Sequence, residues 1–117
     1  AWLLNYETFK SNAIRHVDEV EKVVSKQVLA ALGKKTKRSL TKTESQGIEE
    51  ITFAVAEQTS WEDRVDEDIV RNILNSNPVI NGEVHAVYVD MKREDMTLQD
   101  RKIAMASAIA YCRLKKE

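Results

Sequence analysis

Residues 5–32 read NYETFKSNAIRHVDEVEKVVSKQVLAAL. Within them Tyr6, Phe9, Ala13, Val17, Val20, Val24, Val28 and Leu32 recur at steps of three or four. That spacing aligns side chains along one face of an α-helix. Lys10, Arg15, Asp18, Glu19, Lys22 and Lys26 fall on the other faces, with Asp18 and Lys22 four apart as a helical ion pair. Gly33 supplies a C-terminal stop, and the cations after it suit the negative end of the helix dipole. Such a helix is about 40 Å long at ~1.5 Å per residue. A globule of this chain length has a radius of gyration near ~13 Å, hence a diameter of roughly 35 Å. The helix is therefore expected to overhang its own domain, or to kink, or to have its end covered by a partner.

Outward from this helix, residues 34–43 (KKTKRSLTKT) carry five basic residues and no acid, which reads as an exposed basic loop spanning 33–43. Thr43-Glu44-Ser45-Gln46 matches a capping box, so a second helix is expected over about 44–59, burying Ile48, Ile51 and Val55. Ser60-Trp61-Glu62-Asp63 suggests another start, and Trp61, Val65, Ile69, Ile73 and Leu74 give a stripe for a helix over about 61–75 that Asn77-Pro78 ends. Residues 79–89 read two ways. Ile80-Asn81-Gly82-Glu83 is a hairpin signal and Val84–Val89 has high strand propensity, so a short β-strand or hairpin is expected there. Val84, Val87, Tyr88 and Met91 also sit at helical spacing, which is the competing reading. Thr97-Leu98-Gln99-Asp100 opens a last helix over about 98–115, apolar nearly all round from Ile103 to Cys112, as a central buried helix would be. The expected fold is mainly α: four or more helices in a bundle or irregular array within one domain over 1–117.

Composition narrows the function. The chain has 117 residues, 43% of them hydrophobic and 32% charged, with one Pro and three Gly, which excludes disordered and collagen-like chains. No apolar run approaches the ~20 residues of a membrane span, so no membrane is expected as partner. The start Ala1-Trp2-Leu3-Leu4 is too short for the apolar stretch of a secretory signal. Cys112 is the single cysteine, and with no Asn-x-Ser/Thr acceptor this fits a reducing, cytoplasmic setting. Net charge is −1, but it is unevenly laid out. Residues 34–43 carry +5, whereas 44–70 hold nine acids against Arg64 alone.

Catalytic chemistry finds little purchase. Cys112 lies in the most apolar stretch, where a thiol is held protonated. His16 is followed by Asp18 and Glu19, as in a surface ion pair, and His85 beside valines reads as a half-exposed strand residue. Asp63, Asp66 and Glu67 would share one helical face, a set of oxygens that suits Mg²⁺ or Ca²⁺. The repeated Glu-x-x-Glu pairs of helical enzymes that hydrolyse nucleotides on a metal are missing, as is a calcium loop, so an ordinary acidic outer face is expected. No glycine-rich phosphate loop or zinc spacing calls for a cofactor.

Two surfaces remain. Trp2, Leu3 and Leu4 are candidates for contact with a protein partner, including a second copy of the chain as a dimer; the bland alternative is a lid over the end of the bundle. Lys34, Lys35, Lys37, Arg38 and Lys42 are candidates for gripping a nucleic-acid backbone, without aromatic neighbours on which bases could stack. The sequence therefore points to a non-enzymatic protein–protein interaction or assembly module, with a nucleic-acid-associated accessory protein as the alternative.

Overall fold

The computed structural model describes residues 2–76, 82–91 and 94–116, and five α-helices account for most of them. They are α1 (Trp2–Leu32), α2 (Lys42–Gln58), α3 (Glu67–Asn75), α4 (Gly82–Met91) and α5 (Leu98–Lys116), with a 3₁₀ turn at Lys37–Ser39. The mainly-α expectation holds, and no strand occurs among the described residues.

α1 is unbroken and, at ~1.5 Å per residue, about 46 Å long. The molecule measures 48 × 33 × 22 Å, so α1 runs the length of its longest axis. Its middle packs against α5 and α2 through Ala13, Val17, Val20 and Val24, all essentially fully buried. α5 is the central helix of the array. Every residue from Ala104 to Ala110 is buried, and the alanines among them let α1 and α4 approach closely. α3 packs on α1 and α2 and buries Val70. Gly33 has φ 67°, a left-handed conformation that closes α1 while its N–H bonds the Ala30 carbonyl.

Three expectations need correcting. α2 begins two residues early because Thr41, not Thr43, is its cap. The Thr41 hydroxyl accepts from the Glu44 N–H and the Glu44 carboxylate accepts from the Thr41 N–H, a complete capping box. The third helix begins at Glu67 rather than 61, since Asp66 caps it by accepting from the Ile69 N–H. Trp61 instead sits in the α2–α3 turn, edge-on to Phe9 and under the Arg113 guanidinium, which is 3.7 Å from its ring centre. Its burial comes from other helices, so its place in a helical stripe was coincidental.

The strand expected at 84–89 is helix α4. Its partner strand and the start of the hairpin, residues 79–81, lie outside the described residues, as does Asn77-Pro78. Val84 and Tyr88, one turn apart, are buried, and α4 packs on α5. An isolated edge strand there would have had no neighbour for its backbone groups, whereas a helix satisfies them internally. Tertiary packing thus overrides the strand propensity of the valines.

Candidate interaction surfaces

The first surface is the leading end of α1. Leu3 and Leu4 are 66% and 71% exposed, more than any other large apolar residue described, and Trp2 is 53% exposed. Trp2 is nonetheless held in place. Its indole stacks on Tyr6 at 5.5 Å between ring centres, with planes 3° apart, and meets the Tyr111 ring of α5 edge-on at 6.1 Å. Trp2 is thus partly packed on the end of the bundle, while Leu3 and Leu4 stand largely in solvent.

The basic loop is less free than its charge implies. Lys34 donates to the Ser39 carbonyl at 2.9 Å and to the Glu44 carboxylate at 2.7 Å. Lys37 is paired with Glu21 of α1. Leu40 tucks against the core, roofing a cavity of about 40 Å³ with Lys37, Ile48, Leu98 and Met105. Two of the five candidate cations are therefore spent on closing the loop. Lys35, Arg38 and Lys42 are exposed and make no ion pair among the described residues.

Two polar clamps hold the helices in register. Glu21 is buried on α1, where it accepts from Ser25 and faces Lys37 and Lys102. Burial disfavours its charge, but Lys37, Ser25 and Lys102 prevail and keep its carboxyl below the usual carboxylate range. Lys102 also reaches Asp18 at 3.1 Å, joining α5 to α1. The sequence carried a signal for Glu21, because it lies four residues after Val17 and three before Val24, inside the stripe; the lysines that neutralise it come from distant segments. In the second clamp Glu49 of α2 accepts from the Tyr88 hydroxyl at 2.9 Å and from Arg101 Nε at 3.1 and 3.2 Å. Arg101 also donates to the Met96 carbonyl. Burial first, then the Glu49 carboxylate, pushes the Tyr88 phenol above its ordinary range, so it stays a donor. This triad floors a cleft of about 720 Å³ between α2, α4 and α5, rimmed by Lys42, Glu50, His85 and Glu94. Both Glu49 oxygens are engaged in holding three helices together, which makes the clamp a fastening.

The isolated chemical groups fall as follows. His16 is no surface ion pair: it is 2% exposed, and its Nε2 lies 2.8 Å from the Thr59 hydroxyl. That hydroxyl donates its own proton to the Val55 carbonyl, so it accepts from His16 Nε2–H. Nδ1 is then a bare lone pair, with no hydrogen-bond partner among the described residues. Cys112 is buried, and burial, then the Glu83 charge, pushes its thiol up, against nucleophilic use. His85 is exposed on α4, its ring 6.5 Å from that of Phe53. Asp63, Asp66 and Glu67 do not share a helical face, because the first lies in a turn, the second is a cap and the third pairs with Lys26 at 3.3 Å. No group of three or more His, Cys, Asp or Glu placed to hold a metal ion occurs among the described residues. No described helix is long and apolar enough to cross a membrane. The chain matches no protein-family model, no curated protein and no solved structure.

Proposed function

We propose that this domain is a non-enzymatic protein–protein interaction module that pairs with a second copy of itself through the leading turns of α1. The observation that carries the reading is the exposure of Leu3 and Leu4 beside a Trp2 already fixed by Tyr6 and Tyr111. Successive helical residues point about 100° apart, so the three side chains form a wrapped apolar tip. An apolar area of this kind, a few hundred Å² in size, is where monomers typically carry function. Fixing Trp2 in advance removes part of the ordering cost that association otherwise incurs. Two such tips brought together about a two-fold axis cover each other with the same residues on both sides, which is the geometry of most homodimers.

Cysteine trapping tests this pairing. In a Leu3→Cys variant the buried Cys112 thiol is shielded, so mild oxidation should give a disulfide-linked dimer through position 3. An Asp90→Cys control on exposed α4 should cross-link much more slowly. Equal rates at the two positions contradict the proposal.

The alternative, contact with nucleic acid through residues 34–42, keeps Lys35, Arg38 and Lys42 as uncommitted cations. Each phosphate neutralised contributes about −0.9 to the slope of log affinity against log salt for duplex DNA. On this reading, duplex binding measured by fluorescence anisotropy has a slope no steeper than about −3. A slope near −5 would mean that Lys34 and Lys37 leave their carboxylates, which this packing opposes.

A further inference from the structure

We propose that Ser39 is a phosphorylation site for a protein kinase whose acidic substrate groove reads the basic residues of this loop. Pairing between the tips of α1 leaves the loop unused, and its chemistry is unusual for a connector. Between 34 and 43 there are five cations, no acid, and hydroxyls at Thr36, Ser39, Thr41 and Thr43. The structure separates three of these hydroxyls; Thr36, exposed and with no side-chain cap hydrogen bond, is set apart only by sequence, with Lys34 and Lys35 alone of the loop's cations before it. Thr41 is committed to capping α2, and Thr43 lies within the first turn of that helix. Ser39 is exposed, and its hydroxyl makes no hydrogen bond among the described residues. Lys35 and Arg38, neither of them in an ion pair among the described residues, precede it and Lys42 follows, so a carboxylate-lined groove meets cations on both sides of the acceptor.

The backbone around Ser39 suits such a substrate. Leu40 (φ −78°, ψ 140°) and Thr41 (φ −72°, ψ 166°) are already extended, and the 3₁₀ turn before them is closed by two backbone hydrogen bonds, Ser39 N–H to Thr36 and Leu40 N–H to Lys37. Presenting this stretch takes the opening of that one short turn and the lifting of Leu40 from the edge of the core. In the transfer, the Ser39 hydroxyl oxygen attacks the γ-phosphorus of ATP, the bond to the bridging oxygen breaks, ADP departs, and the hydroxyl proton passes to the kinase's carboxylate base.

The fold also contains a receiver for the product. Lys34 Nζ already reaches the Ser39 carbonyl at 2.9 Å, so a phosphate on the same residue arises within reach of that ammonium. It carries a charge of about −1.5 to −2 and competes with Glu44 for Lys34. The loop's charge drops from +5 to about +3, which weakens any hold on a polyanion.

The test incubates the intact protein with Mg-ATP and a basophilic kinase, with an acidophilic kinase as control. Phosphate is counted by intact mass and placed by fragmentation. The expected result is one phosphate, on Ser39, from the basophilic kinase only, and none on a Ser39→Ala variant whose circular dichroism matches the parent. Phosphate on other hydroxyls with Ser39 unmodified, or no phosphate at all, overturns the assignment. A ³¹P titration reads the receiver: cations around the group should bring its second ionisation below that of the same phosphoprotein in urea. Coincident midpoints would contradict the placement beside Lys34.

Discussion

At the scale of single residues, His16 shows how the interior constrains chemistry. Its imidazole is neutral because burial, aided by the Arg113 charge, outweighs the pull of the Ala56 and Thr59 carbonyls and of Glu19 towards protonation. In the unfolded chain the same ring takes up a proton near pH ~6.5. Below that pH the unfolded state binds more protons than the native one, so stability is retained above it and falls as the medium becomes more acidic. Thermal melts between about pH 7.5 and 5.5 should show a declining midpoint, and a His16→Gln variant should decline less over that window. A parent midpoint that rises on acidification would contradict the neutral assignment. Nothing in the sequence announced this environment. The acids at 18 and 19 suggested a surface pair, whereas Thr59, which fixes the tautomer, is 43 positions away. Trp2 was half legible: residues 2–4 were read as a contact surface or a lid, but the helix was expected to start near Asn5, whereas α1 begins at Trp2.

At the scale of elements, legibility followed the strength of the local pattern. α1 was readable because eight apolar residues repeat along it, and α5 because its middle is apolar on every side; both depend on the chain's own period. α4 was misread because β-branched residues satisfy strand and helix patterns alike over ten positions, and only packing on α5 decides between them. The α2 cap was displaced by two residues because Thr41-Lys42-Thr43-Glu44 and Thr43-Glu44-Ser45-Gln46 both satisfy the capping template. Lys34 favours the first, since it reaches the Glu44 carboxylate that completes the Thr41 box. The two registers are separable by mutation. Thr41→Ala should cost about 1 kcal/mol in urea unfolding, and Thr43→Ala close to nothing. The reverse order would move the cap back to Thr43.

At the scale of the molecule, one long helix sets the shape and carries the proposed contact surface. α1 is as long as the whole protein, so the fold buries its middle but leaves Leu3 and Leu4 of its leading turn largely uncovered. The sequence implied this by arithmetic, because a helix of that length exceeds the diameter of so short a chain when folded. What it could not show was which end protrudes, since that depends on where α2, α3 and α5 dock. The sharp division of charge along the chain likewise proved to be partly internal, with Lys34, Lys37, Arg101 and Lys102 drawn onto Glu44, Glu21, Glu49 and Asp18. What stays unpaired at the surface is more apolar at one end and more modestly basic at the other than the sequence alone suggests. The central claim is that the apolar end is a contact between copies. Sedimentation velocity from micromolar to submillimolar protein tests it most directly, with the parent compared against a Leu3→Glu/Leu4→Glu variant. The account predicts a concentration-dependent shift from monomer to dimer in the parent and a monomer throughout in the variant. A parent that stays monomeric across the range, or a variant that dimerises as well as the parent, would contradict it.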